Sequence, residues 1–213
     1  MQGILLDLDG VVIDSERVHE QSLVILSERF GRRFSQSEVM SFKGLPEAGT
    51  ALRFRQEFPN LSLSDQTIIE ARLAIVRENY PLVTLIPGAT EFLGKAQAAG
   101  YRMALTTSAN REIQELAFAR FKLQSYFNGV ITGNDVTRGK PDPEPYQLSA
   151  ARLNLAPEAC AVIEDAVNGI KSGKAAGCYA IGLTTSFPAQ TLREAGADWV
   201  ADDFQQLIAR LRS

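Results

Sequence analysis

Residues 7–15 read Asp-Leu-Asp-Gly-Val-Val-Ile-Asp-Ser and follow the apolar run Ile4-Leu5-Leu6. Alternate residues of a strand face the same way, so Asp7 and Asp9 are expected to set two like charges side by side at a strand end. Such a pair is unstable without a shared proton or a cation. A divalent metal with oxygen ligands relieves the repulsion. One carboxylate is then free to act as nucleophile and the other as proton donor. Polar residues recur after later apolar runs, as Thr106-Thr107-Ser108-Ala109-Asn110, Gly139-Lys140-Pro141-Asp142-Pro143 and Glu164-Asp165-Ala166-Val167-Asn168-Gly169. The set offers carboxylates for a metal, a hydroxyl and backbone N–H groups for phosphate oxygens, and a lysine as fixed cation. Phosphoryl transfer needs these groups, because its catalysis is mostly positioning and charge stabilisation.

The elements that must hold these residues follow from the apolar pattern. Strands are expected at 4–8, 103–107, 129–132, 161–164 and 179–183, with a short sixth at Trp199-Val200. Helical patterns lie between them at 89–99, 111–121, 143–153, 169–176 and 190–195. This alternation predicts an α/β fold, a Rossmann-like, doubly wound parallel sheet with helices on both faces. Ligands of such folds sit outside the carboxyl ends of the strands, where the polar clusters fall.

The interval from Ser15 to Val83 breaks the alternation, with helical patterns and no convincing strand. Apolar residues from Val18 to Phe30 have helical spacing and stop at Gly31. Ser35-Gln36-Ser37-Glu38 fits a capping box. Ser64-Asp65 caps a helix that runs towards Tyr80 and ends at Pro81. The expected organisation is an α/β core of residues 1–14 and 84–213 and a small helical cap, or lid, of residues 15–83. Linkers are expected near 13–15 and 82–85.

Bulk properties narrow the function classes. The 213 residues carry a formal net charge of −3, which gives no reason to expect a nucleic-acid or membrane partner. No apolar stretch approaches the roughly 18 residues of a membrane span. Met1-Gln2-Gly3 runs straight into a strand, so no signal peptide is expected and the reading is cytoplasmic. Cys160 and Cys178 are the only cysteines and read as reduced core residues. A core with a lid can work as a monomer, with a homodimer as the alternative.

In this setting the chain resembles the haloacid dehalogenase-like superfamily, in the branch with a helical cap between the first two motifs. The resemblance rests on Asp7-Leu8-Asp9-Gly10-Val11, Leu105-Thr106-Thr107-Ser108, Gly139-Lys140-Pro141 with Asp142-Pro143, and Val162-Ile163-Glu164-Asp165, in that order. It implies that Asp7 attacks phosphorus to form an aspartyl-phosphate, and that Asp9 protonates the leaving oxygen and then deprotonates water. It also implies that Thr107 and the Ser108 backbone hold phosphate oxygens beside the Gly10 turn, and that Lys140 neutralises Asp7 and the phosphoryl group. Mg2+ is expected on Asp7, Asp165 and the Asp9 carbonyl, with Glu164 assisting. The oxygen-only donor set suits that ion and lacks the soft ligands zinc prefers.

Several residues keep two readings. Thr107 is either a phosphate ligand or an ordinary strand end, and Asp165 either a metal ligand or a helix cap. His19 either assists the substrate, as in sugar-phosphate members, or packs on its helix. Lys43, in Phe42-Lys43-Gly44-Leu45-Pro46, is either a specificity residue or a solvated lysine. Asn110 either reaches substrate or begins the next helix. Arg53, Arg55, Arg72 and Arg77 are expected to be solvated cap charges. Asp9 argues against the dehalogenase and phosphonatase chemistries of the superfamily. The expected activity is hydrolysis of a small phosphorylated metabolite, with a β-phosphoglucomutase-like mutase as the alternative and a non-catalytic binding module as a remote one. Against the mutase, Glu47 stands where mutases carry an arginine, and a carboxylate there repels the remote phosphate of a bisphosphate.

Overall fold

In a computed structural model, which describes residues 1–42, 45 and 47–211, the chain opens with β1 (Gly3–Leu6) and β2 (Ile13–Asp14). Four helices follow, α1 (Glu16–Arg29), α2 (Gln36–Met40), α3 (Glu47–Glu57) and α4 (Asp65–Asn79). Then come β3 (Thr84–Leu85), α5 (Ala89–Ala98), β4 (Arg102–Thr106), α6 (Arg111–Phe121), β5 (Gly129–Ile131) and α7 (Glu144–Arg152). The chain closes with β6 (Cys160–Glu164), α8 (Val167–Ala175), β7 (Tyr179–Leu183), α9 (Ala189–Glu194), β8 (Trp199–Ala201) and α10 (Phe204–Ile208). It divides into two compact units, Met1–Asp14 with Thr84–Ser213, and Ser15–Val83.

The first unit is built on a parallel sheet of order β5-β4-β1-β6-β7-β8. Parallel neighbours need crossovers, which the helices supply. The chain winds outward from β1 through β4 to β5, then returns to the other side of β1 as β6. This reversal leaves a crevice at the carboxyl ends of β1 and β6. β1 and β6 are buried along their whole length, as near-continuous apolar runs in a two-faced parallel sheet should be. Leu5, Val162, Ala104 and Tyr146 form one core cluster with Leu153, Cys160 and Cys178, and both cysteines are free and buried.

Register then decides what meets at the crevice. Leu6 pairs with Leu105 on one side and Ile163 on the other, so the next residues, Asp7, Thr106 and Glu164, come level. The Asp7 N–H still donates to Ile163 O at 3.1 Å. After that the chain leaves the sheet, because Val12 N and Ile13 N both donate to Leu8 O, at 2.8 and 3.0 Å. Hence β1 stops at Leu6 instead of continuing to Leu8. Asp9 lies beyond the strand end, in a turn bridged to Ile13, and its charge still bears on Asp7.

Two elements depart further from expectation. The segments expected to be plain linkers pair as antiparallel β2 and β3, Ile13 with Leu85 and Asp14 with Thr84. α10 was not anticipated from the pattern. Asp203 caps it, accepting from Gln206 N at 2.9 Å, and Phe204 packs on Phe92 at 5.3 Å between ring centroids.

The Ser15–Val83 unit contains only helices among its described residues. Ser35 and Glu38 make the reciprocal capping box at α2, and Ser64 accepts from Thr67 N at α4. Its core is an aromatic cluster in which Phe34 stacks on Phe42 and Phe54 on Phe58. Arg53 and Arg55 form exposed pairs with Glu57 and Asp65. Arg72 differs from the solvated charge expected of it, being only 7% exposed. It pairs with Glu47 and lies 3.3 Å from Ser22 Oγ and 3.4 Å from His19 Nδ1. Helical periodicity places Arg72 one turn from Ile68 and Ile75, on the inward face, so its charge needs partners there. No helix among the described residues is long and apolar enough to cross a membrane.

Candidate active site

Four side chains converge at the carboxyl ends of β1 and β6. Lys140, on the loop before α7, donates to Asp7 Oδ1 at 2.9 Å, to Glu164 Oε1 at 2.7 Å and to Thr106 O at 2.9 Å. Its side chain is 7% exposed, and that of Glu164 is 1% exposed. Carboxylate oxygens of Asp7, Glu164 and Asp165 all lie within 4.8 Å of one another. Burial disfavours the charged forms. The Asp7 carboxyl is pushed up to about 7 by burial, with Glu164 and Asp9 adding to the rise and Lys140 opposing it. Burial, then Glu164 and Asp7, raise the Asp165 carboxyl well above the ordinary range. For Lys140 burial favours the neutral amine, but the Asp7 and Glu164 carboxylates outweigh it and keep the ammonium charged beyond its usual range.

Three carboxylates thus share one ammonium, so the cluster gains by taking up a further cation. Its donors are hard oxygens, which fit Mg2+. Two glycines let the groups approach. Gly10 has φ +74°, and a Cβ there would overlap the Asp165 carboxylate. A Cβ at Gly169 would overlap the Glu164 carboxylate. Glu164 itself is heavily engaged. Oε1 accepts from Lys140 and from Tyr146 OH at 2.8 Å, and Oε2 accepts from the N–H groups of Asp165 and Ala166 at 3.1 and 3.2 Å.

The other expected site residues fall as follows. The Thr107 N–H donates to Ile131 O at 2.9 Å, and its hydroxyl accepts from Ala109 N at 3.0 Å, bending the loop after β4. Ser108 is exposed on that loop. Asn110 is the N-cap of α6, with its side-chain oxygen taking Ile113 N at 3.0 Å. That oxygen serves the helix start, one of the two readings of Asn110, and leaves its side-chain amide N–H groups out of the cap. Asp165 is not the cap of α8, since Ala166 occupies that position. His19 lies on α1 beside Arg72 in the other compact unit. Lys43 lies outside the described residues. The Arg72 guanidinium offsets the Glu47 charge, so repulsion of a second phosphate by Glu47 is weaker than the sequence alone implies.

Sequence reasoning passed over three residues. Tyr146 donates to Glu164, Ser186 hydrogen-bonds Asp165, and Thr185 Oγ1 donates to Gly10 O at 2.5 Å. Each hydroxyl belongs to a residue whose sequence context is ordinary core or loop, so no spacing signal marks it.

Comparison with known proteins follows the same lines. The family model described as haloacid dehalogenase-like hydrolase matches residues 4–183. The chain is 33% identical over 191 residues to validoxylamine A 7'-phosphate phosphatase of Streptomyces hygroscopicus subsp. limoneus, covering 90% of this chain and 89% of that protein. It is 33% identical over 218 residues to hexitol phosphatase A of Escherichia coli, covering 97% and 93%. Among solved structures, a HAD family hydrolase of Deinococcus radiodurans with bound phosphate and sodium superposes with a TM-score of 0.78 at 29% identity, covering 97% of this chain and 93% of that one.

Proposed function

Because the chain belongs to the haloacid dehalogenase-like hydrolase family, we propose that it is a phosphatase that hydrolyses small carbohydrate or polyol phosphate monoesters through Asp7. The observation that carries this reading is the Lys140 ammonium bound to one oxygen of Asp7, level with Thr106 and Glu164 at the sheet's switch point. Lys140 holds Oδ1, which leaves Oδ2 to attack phosphorus. The ester P–O bond breaks as the Asp7–phosphorus bond forms, and Asp9 gives its proton to the leaving alkoxide. Asp9 then takes a proton from water, which attacks phosphorus and frees Asp7 and orthophosphate. Thr107 and the Ser108 backbone hold phosphate oxygens, and Lys140 offsets the charge shared by Asp7 and the phosphoryl group. Asp7, Asp165 and the Asp9 carbonyl would hold Mg2+, with Glu164 in support. The ion supplies electrostatic stabilisation of the phosphoryl oxygens. We assign residues 15–83 the role of cap, with His19 and Lys43 as its candidates for selecting the substrate.

Two of the relatives named above are a validoxylamine A 7'-phosphate phosphatase and a hexitol phosphatase, which favours water over a sugar hydroxyl as acceptor. The test is orthophosphate release from a panel of sugar and polyol phosphates with Mg2+, alongside Asp7→Asn. Release by the wild type and none by the variant is expected. Equal release by both would remove Asp7 as nucleophile. Accumulation of glucose 6-phosphate from β-glucose 1-phosphate, without free phosphate, would overturn hydrolysis in favour of the mutase.

A further inference from the structure

Tyr146 lies six residues beyond Lys140, in the first turn of α7, with 0% of its surface exposed. Its core cluster needs only an aromatic ring there, and phenylalanine would fill that space equally well. The hydroxyl therefore calls for an account of its own. It donates at 2.8 Å to Glu164 Oε1, the same oxygen that accepts from Lys140 Nζ at 2.7 Å. The ring also stands against the ammonium, with Nζ 5.0 Å from its centroid. An electron-rich ring face attracts a cation at this distance.

Both contacts bear on one question, which is how Lys140 divides itself between two carboxylates. The ammonium has three hydrogens, and three acceptors take them: Asp7 Oδ1, Glu164 Oε1 and Thr106 O. Asp7 keeps its share only if Glu164 does not draw the ammonium away. By donating to Oε1, the Tyr146 hydroxyl loads the oxygen that competes with Asp7, and the ring holds the ammonium from one side. Without the hydroxyl, Oε1 has a single side-chain donor and pulls Lys140 towards itself, loosening Asp7.

We propose that Tyr146 is a positioning residue for the reaction, holding Lys140 centred between Glu164 and Asp7 so that Asp7 is aimed and its charge shared in the transition state. This inference rests on the phosphatase reading given above. Its test compares the full-length wild type with Tyr146→Phe, which keeps the ring and removes the hydroxyl, and with Leu153→Ala. Leu153 belongs to the same core cluster, is 2% exposed and is not a partner of Lys140 or Glu164. Steady-state hydrolysis of an aryl phosphate with Mg2+ is measured well below each melting temperature. Binding of orthovanadate, a mimic of the transferring phosphoryl group, is measured by calorimetry.

For Tyr146→Phe, kcat should fall about tenfold with KM within twofold of wild type, the effect of losing one charged hydrogen bond's worth of transition-state stabilisation. Orthovanadate affinity should weaken by a similar factor. Leu153→Ala should lower the melting temperature and leave both readouts unchanged. Wild-type kcat and orthovanadate affinity in Tyr146→Phe would overturn the proposal, as would an equal loss of kcat in Leu153→Ala. If the wild type releases no phosphate, the phosphatase reading itself fails. Orthovanadate binding then still separates the two ideas, since equal affinity in wild type and Tyr146→Phe removes the positioning role.

Discussion

Replacing a glycine by alanine inside a helix ordinarily stabilises it by about 1 kcal/mol. Two helices of this protein should respond with opposite signs. At Gly94, inside α5, an added Cβ meets nothing within 4 Å. Gly94→Ala should therefore gain about 1 kcal/mol and raise Tm by about 2–4 °C. At Gly169, in the first turn of α8, the Cβ would fall on the Glu164 carboxylate. That carboxylate is buried and tied to Lys140, Tyr146 and two N–H groups, so it cannot step aside without losing partners. Overpacking costs about 1–3 kcal/mol, and each lost hydrogen bond to a charged group about 1.5–3 kcal/mol. Against a helix gain of at most about 1 kcal/mol, Gly169→Ala should destabilise by about 2–4 kcal/mol and lower Tm by about 5–15 °C. Scanning calorimetry with urea unfolding at 25 °C reads both variants. If Gly169→Ala melts at or above the wild type while Gly94→Ala gains, the Glu164 carboxylate is not locked in place and the network argument fails.

Divalent cation should stabilise the protein. Mg2+ at about one hundred times its Kd should add about 2.7 kcal/mol relative to the same protein in EDTA, and Asp165→Asn should abolish the shift; an unchanged wild-type melting curve would refute the cation site. Acid should unfold the protein partly through Asp135, which accepts from Thr132 N and Oγ1 at 2.8 and 2.7 Å and pairs with Arg111. Burial works against the Asp135 anion, but these donors outweigh it and hold the carboxyl below its usual range. A lowered folded-state value contributes stability above the unfolded value, near pH 4, that is lost as pH falls through the folded one. Asp135→Asn should accordingly cost about 1 kcal/mol at pH 7, discounted for its partial exposure, and progressively less as the pH falls through the folded-state value. A cost that persists unchanged at pH 2 would show that the Asp135 charge is not responsible.

Much of this was legible along the chain because the signals are local. Apolar runs of four or five residues separated by helical patterns report a parallel sheet, since strands covered on both faces must be apolar throughout. The capping box at Ser35 and Glu38 is likewise a short-range pattern, and the helix forms where it predicts. The end of β1 was misread for a related reason. A strand-like run does not say where the backbone leaves the sheet, and the turn is made by Val12 and Ile13 N–H groups reaching back to Leu8 O. Arg72 was misread because a charge on a helix is usually solvated, and only packing within the Ser15–Val83 unit shows the inward face it occupies.

The types of group at the strand ends, carboxylates, hydroxyls and one lysine, were determined by the sequence itself, because each motif is contiguous and its chemistry travels with its residues. How those groups are shared was decided only by the tertiary structure. Register between β1, β4 and β6 sets Asp7 level with Glu164, and Lys140 arrives from a loop 133 positions away to divide its hydrogens between them. The Tyr146 hydroxyl enters that arrangement from the core side of α7, where its sequence context is an ordinary apolar face. Charges interact through distance and burial rather than through order along the chain.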